Sequence, residues 1–254
     1  MKGKTVFITG ATSGIGEACA WKFASQGANL ILNGRNKEKL EALKRNIEEK
    51  FAVKTMVLQF DVRDRHAAES CIATLPESWK DVDILINNAG LVIGVEKEVE
   101  GNLDEWDIVI DTNIKGLLMM TRLVVPLMLK QNRGHIINIG SIAGEAAYPG
   151  GSVYCATKAA VKMLSDGLRI DLVDTPLRVT NIKPGYVETH FSITRFRGDK
   201  AQADAVYKGL KPLTGEDVAE TVYFVAAVPE HIQIAEVMIM PTNQATGTIA
   251  YRKG

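Results

Sequence analysis

Net charge is the first thing this sequence lacks. Its 30 lysines and arginines are matched by 30 aspartates and glutamates, so no basic excess points to nucleic acid and no polybasic block to a membrane surface. Cysteine is scarce: Cys19, Cys71 and Cys155 are scattered without metal-ligand or disulfide-framework spacing. That predicts idle thiols in a reducing, cytoplasmic setting. The four histidines, at 66, 135, 190 and 231, form no paired ligand motif, and no metal site is expected. Apolar runs approaching the roughly 20 residues that span a bilayer are missing. The opening "MKGKTVFITG" runs straight into a strand-like segment rather than a signal peptide. These absences leave a small-molecule ligand as the default expectation.

Apolar material is plentiful, at 46% of residues against 24% charged, enough for one large core. Short β-branched runs at 5–9, 29–34, 54–60, 83–87, 135–140, 178–183 and 236–240 read as strands. They are apolar almost throughout rather than alternating, as strands covered on both faces are. Between them lie helical patterns such as "NKEKLEALKRNIEEK" (36–50), with Leu40, Leu43 and Ile47 at helical spacing. Repeated β-α-β units predict an α/β fold, a single-domain, Rossmann-type doubly wound parallel sheet with helices on both faces, over residues 1–254. The least regular stretch, 184–213, is read as a lid beside a site. In such sheets ligands bind beyond the carboxyl ends of the strands, at the point where strand order reverses.

The first strand ends in "TGATSGIG", with Gly10, Gly14 and Gly16. Glycines there allow a tight turn and close approach of a pyrophosphate to a helix N-terminus. After the second strand the chain reads "LILNGRNK". Gly34 fills the slot where an acid would hold a ribose 2′-hydroxyl, and Arg35 follows; a permanent planar cation suits a 2′-phosphate, so NADP is the expected cofactor. Asp61, in "FDVRD" after the third strand, has two readings, a helix cap or a partner for the adenine amino group.

Tyr154 and Lys158, in "YCATK", are one helical turn apart on one face. A phenol titrating near ~10 is a poor base at neutral pH. An ammonium about 4 Å away would be worth roughly 4 kcal/mol at an effective dielectric of ~20, a depression of up to about three units. The pair therefore has two readings, a tuned proton donor and acceptor or a wetted surface pair.

"TGATSGIG", "NNAG" (87–90), "TN" (112–113), "IGSIAG" (139–144), "YCATK" (154–158) and "KPG" (183–185) occur in the order and spacing of the short-chain dehydrogenase/reductase family, which the chain resembles over nearly its whole length. The resemblance implies hydride transfer between a nicotinamide and a hydroxyl or carbonyl. It places the catalytic tetrad on Asn113, Ser141, Tyr154 and Lys158, with Ser141 orienting the substrate oxygen, Lys158 also holding the nicotinamide ribose, and Asn113 supporting a water chain. It implies that the cofactor runs past Gly10, Thr12, Ser13, Gly14, Ile15 and Gly16, then Arg35, Asp61 and Val62, then Asn88, Ala89 and Gly90, with Pro184, Gly185, Val187 and Thr189 covering the carboxamide. A homotetramer is common in the family. The segment 115–130, apolar over more than one stripe, is read as an interface helix, with a buried core helix as the other reading.

In the lid, "SITRFRGD" would set Arg195 and Arg197 on one face if extended, as a clamp for a substrate carboxylate. Together with "YPGGSVY" (148–154) and "PTNQA" (241–245), it resembles the branch of NADP-dependent 3-hydroxy acid dehydrogenases acting on serine, allo-threonine or malonic semialdehyde-type substrates. A 3-oxoacyl-carrier-protein or general ketone or aldehyde reductase would share the tetrad without needing the arginines. A non-catalytic NADP-binding regulator would not need the tyrosine and lysine.

Overall fold

In the structure, a computed structural model describing residues 1–253, one parallel sheet runs in the order β3-β2-β1-β4-β5-β6-β7. Its strands are β1 (Thr5–Ile8), β2 (Asn29–Gly34), β3 (Thr55–Gln59), β4 (Ile84–Asn87), β5 (His135–Ile139), β6 (Arg178–Pro184) and β7 (Glu236–Ile239). Each matches an apolar run named above to within a residue at either end. The register explains why those runs do not alternate. Val6 and Ile8 pack on one face against Cys19 and Phe23 of α1 (Gly14–Ser25), Leu40 of α2 (Lys37–Lys50) and Val222 of α10 (Gly215–Ala227). Phe7 turns to the other face, against Ile72 of α3 (Arg65–Ala73) and Val124 and Met128 of α6 (Leu117–Lys130). With both faces covered, odd and even positions are equally apolar, and each fully buried side chain of this size contributes about 1.5–3 kcal/mol.

The remaining helices are α4 (Glu77–Lys80), α5 (Leu103–Ile110), α7 (Ser152–Asp171), α8 (Phe191–Arg195) and α9 (Lys200–Ala205). Helix starts are marked chemically. Asn36 accepts from the Lys39 amide and Asp64 from the Ala67 amide, and Thr214 and Asp217 form a reciprocal capping box. The segment 115–130 divides between the two readings offered for it. It enters through a π-helical turn, Asp111–Gly116, and α6 then buries Met120, Val124, Val125 and Met128 inside its own chain, leaving Leu118 and Leu129 partly exposed. The lid stretch is less irregular than expected, because α8 and α9 lie within it, α9 started by Asp199 capping the Gln202 amide.

Among the described residues, no helix is long and apolar enough to cross a membrane. His, Cys, Asp and Glu form no metal-sized group among them.

Candidate active site

Strand order reverses between β1 and β4, and a cleft of about 530 Å³ opens over the carboxyl ends of the strands there. Its floor at one end is the glycine turn. Gly14 has φ +57°, and a Cβ on it would come within 3.1 Å of the Thr189 side chain; a Cβ on Gly16 would run into the Gly10 carbonyl. Ser13 precedes α1 in an extended conformation and its side chain makes no capping bond, so the first amides of the helix stay available to a ligand. Thr12 and Ile15 also face this space. A cradle that admits no Cβ and ends in open helix amides fits a pyrophosphate. The neighbouring wall is stitched on: Asn88 Nδ2 donates to the carbonyls of Thr9 and Gly10 at 3.0 and 3.1 Å. Thr9 Oγ1 accepts from the Asn88 and Ala89 amides, both at 3.0 Å.

Farther along, Asn33 Nδ2 donates to the carbonyls of Leu58 and Phe60, drawing the end of β3 toward the glycine turn. A Cβ at Gly34 would sit 2.9 Å from Thr12 Cγ2, so an acid in this slot would require Thr12 to shift. Arg35 stands largely exposed, its Nη1 4.0 Å from Asp61 Oδ2, and Val62 lies beside them on the cleft wall. Partial burial alone would push the Asp61 carboxyl up, but hydrogen bonds from Arg63 hold it below its usual range. The helix-cap reading of Asp61 is corrected: Asp64 caps α3, while Asp61 accepts from the Arg63 amide and side chain.

At the other end, Tyr154 and Lys158 are both buried on the first turns of α7. Lys158 Nζ donates to the Ile139 carbonyl at 2.8 Å and lies 5.8 Å from the Tyr154 ring centre. Ser141 Oγ caps a 3₁₀ turn by accepting from the Ala143 amide at 3.0 Å and donates to the Pro184 carbonyl at 3.5 Å. The expected direction of the phenol's shift needs correction. Burial pushes Tyr154 well above its ordinary value, the nearby Ser141 hydroxyl opposing it only in part, and burial also pulls the Lys158 ammonium down to about 8. Both groups lose water, and the ammonium points at the Ile139 carbonyl rather than at the phenolic oxygen.

Asn113 lies on the π-helical turn, a distortion of the kind that re-aims side chains at sites. Its amide is fully engaged: Nδ2 donates to the Leu91 carbonyl and Thr157 Oγ1, and Oδ1 accepts from the Leu91 amide. Thr157 in turn donates to the Tyr154 carbonyl at 2.7 Å. The residue thus braces the loop after β4 against α7. Gly90, Pro184, Gly185 and Val187 line the cleft between the two ends; Gly16, Asn113 and Arg197 do not.

The two lid arginines part company. The segment expected to be extended is α8, and the face shared by alternating residues does not exist. Arg195 lines the cleft, its guanidinium carbon 5.4 Å from the Tyr148 ring centre, and its buried Nε has no hydrogen-bond partner. Arg197 is turned away and bound to Glu96 and Glu105.

Among the cleft residues that the sequence reading does not name, four shape the substrate end. Tyr148, its hydroxyl pushed up to about 12 chiefly by burial, supports Arg195. Phe191 packs on Tyr154 with ring centres 5.5 Å apart. Tyr207 Oη hydrogen-bonds Ser192 and donates to the Val187 carbonyl. Gln244 Oε1 accepts from the Tyr186 amide and ties the C-terminal segment to Gly185. Tyr148 and Gln244 lie inside the quoted stretches 148–154 and 241–245, which was the signal available for them; the other two depend on how the lid folds back.

A parallel sheet with a glycine cradle at its switch point and a buried Ser-Tyr-Lys group beside it defines a class of dinucleotide-dependent oxidoreductases, and residues 4–200 match the short chain dehydrogenase family. The chain belongs to that family. It is 42% identical to the NADP-dependent 3-hydroxy acid dehydrogenase of Schizosaccharomyces pombe, over all of this chain and 98% of that one. It is 47% identical to the enzyme of the same description from Salmonella typhi, over 94% and 96%. Among solved structures, the closed form of a serine dehydrogenase complexed with NADP+ superposes with a TM-score of 0.92 at 44% identity, covering 98% of this chain and all of that one.

Proposed function

We propose that the chain is an NADP-dependent dehydrogenase that interconverts the hydroxyl and carbonyl of a small 3-hydroxy acid of the serine, allo-threonine or malonic semialdehyde type. The observation that carries the substrate class is Arg195, a cleft-facing guanidinium with no acidic partner among the described residues. A carboxylate supplies the planar acceptor pair such a group lacks. The names of the relatives above support both cofactor and substrate. NADP, when bound, supplies or accepts the hydride. The glycine turn and the amides of α1 hold its pyrophosphate, Arg35 its 2′-phosphate, Asp61 and Val62 its adenosine, and Pro184, Gly185, Val187 and Thr189 its far end. Lys158 holds the ribose next to Tyr154.

The tetrad's work follows from its surroundings. A phenol kept neutral by burial is a proton donor, so Tyr154 Oη delivers a proton to the substrate oxygen during reduction and recovers it during oxidation. Ser141 Oγ holds that oxygen in line with Tyr154. Lys158 favours the transient phenolate through its charge, and Asn113 fixes the loop carrying Gly90 against α7. The unit is one catalytic domain over 1–254, working in the cytoplasm as a homotetramer. Exposed Met163 and Ile170 on α7, and exposed Leu118 and Leu129 on α6, support that assembly.

The test is a substrate panel: small 3-hydroxy acids and their methyl esters, each with NADP+ and NAD+. Turnover should favour the free acids and NADP+. Preference for esters or acyl thioesters would replace this reading with a ketone or acyl-carrier reductase, and absence of turnover on the whole panel would leave a nucleotide-binding regulator.

A further inference from the structure

Arg197 sits just past α8 with φ +51°, in the left-handed region that favours glycine. Its guanidinium forms a two-pronged pair with Glu105 on the first turn of α5, Nε to Oε1 and Nη2 to Oε2, each 2.7 Å. The remaining nitrogen, Nη1, donates to Glu96 Oε1 at 2.7 Å. Glu96 Oε2 accepts from the Val95 amide, and the arginine, together with these amides, holds the Glu96 carboxyl down at about 2. Next to this knot the Gly94 amide donates to the carbonyl of Arg195 at 2.9 Å. Gly94 is itself at φ +83°, and a Cβ there would strike Glu96 and come within 3.1 Å of Arg197 Nη2. The loop after β4, the start of α5 and the end of α8 are therefore joined at one point, and the residue whose backbone is gripped there is Arg195.

We infer that Arg197, with Glu96 and Glu105, is a positioning latch that sets the affinity for acidic substrates by holding Arg195 over the cleft. The inference rests on the reading of Arg195 as the carboxylate partner. All three latch residues lie outside the cleft lining, so none is a catalytic residue. From this left-handed position, just before Gly198, the guanidinium reaches both acids. Without the latch, α8 is a helix of 5 residues held on that side by the single Gly94 contact, too short to be stable by itself. The side chain of Arg195 would then sample positions away from Tyr148, and a charged substrate would meet the guanidinium only part of the time.

The experiment compares 3-hydroxybutanoate with its uncharged methyl ester, at saturating NADP+, in Arg195→Ala, Arg197→Gln, Glu105→Gln and the double variant Arg195→Ala/Arg197→Gln. Arg195→Ala should raise KM for the acid by about thirtyfold, the loss of a charge-assisted hydrogen-bonded pair, and leave that for the ester alone. Arg197→Gln and Glu105→Gln should each raise KM for the acid by about tenfold, with kcat, ester KM and NADP+ KM within about threefold of the parent, since only a supporting ion pair is lost. Arg197→Lys should recover part of the loss. In the double variant Arg197→Gln should add nothing to Arg195→Ala, because the latch acts through the residue already removed. If Arg195→Ala affects acid and ester alike, the carboxylate reading itself falls. If Arg195→Ala discriminates but Arg197→Gln is silent, or raises acid and ester KM together, or adds in full to Arg195→Ala, the latch is wrong and the carboxylate reading stands.

Discussion

At the nucleotide end of the cleft the walls are backbone and short amides: the Gly10–Gly16 turn, the open start of α1, and Asn33 and Asn88 bonded to carbonyls of neighbouring strand ends. At the substrate end they are long charged and aromatic side chains of a separate segment, joined by the Arg197–Glu105 pair and by Arg252 Nη1 donating to the Val206 and Lys208 carbonyls. The first kind of wall is rigid because the sheet is rigid. The second depends in part on ion pairs, which stand partly in water and yield to salt. The difference teaches that substrate choice can be altered in this chain without disturbing cofactor binding, and that the reverse is much harder.

Tyr154 lies where the two ends meet, packed on Phe191 of the lid and one turn from Lys158, and breaking it gives the largest expected effect. Tyr154→Phe keeps the ring and its packing but deletes the hydroxyl proposed to carry the proton. It should lower kcat by about a thousandfold, within the usual range for positioned acid–base catalysis, while NADPH binding followed by fluorescence stays within a factor of about two of the parent. A parallel loss of NADPH affinity would show that the two ends are not separable.

The next effect comes from beneath both ends. His135, the first residue of β5, is buried, its Nε2 hydrogen-bonded to Thr180 Oγ1 and its Nδ1 without a partner. Burial, with Arg178 adding to it, pulls this imidazole down to about 3. Since the folded value lies below that of an unfolded histidine, near ~6.5, the unfolded chain binds the extra proton. Stability is therefore complete above about pH 6.5 and declines as pH falls toward about 3, by up to about 1.4 kcal/mol per unit and roughly 2 kcal/mol at pH 5. Urea unfolding at pH 7 and pH 5 should show that slope, and His135→Asn should flatten it, while the acid-to-ester preference of the native protein stays constant. An unchanged slope in His135→Asn would move the acid sensitivity to other groups.

How much of this was legible beforehand follows the same division. The strands, the glycine turn and the Tyr154–Lys158 pair could be read because each depends on local rules: period, turn chemistry and helical spacing. Arg195 and Arg197 misled for the opposite reason. Their arrangement is set by Glu105 and Glu96 about a hundred positions upstream and by a left-handed residue at the end of α8, none of which leaves a local signature. Residue spacing placed Lys158 beside Tyr154 but not the direction of its Nζ, which the Ile139 carbonyl decides. Asp61 shows the same limit at smaller scale: two aspartates stand at the start of α3, and only geometry tells which one caps it.

The smallest expected effect sharpens the comparison from the nucleotide side, where Arg35 is the exception to a wall made of backbone. It is a largely exposed cation whose nearest acid is 4.0 Å away, so an incoming 2′-phosphate gains an exposed charge-assisted contact rather than a buried one. Arg35→Ala should then weaken NADP+ by about tenfold and leave NAD+ unchanged. The discrimination should also shrink in the parent as ionic strength rises toward ~1 M, where the screening length falls to about 3 Å. Gly34→Asp is the counterpart that should not convert the protein to NAD+, because its Cβ meets Thr12 Cγ2 at 2.9 Å and the new side chain fits only if Thr12 shifts. Equal losses for both nucleotides in Arg35→Ala would mean that the arginine supports the adenosine pocket as a whole through Asp61, and that even this end of the cleft depends on a long side chain for its shape.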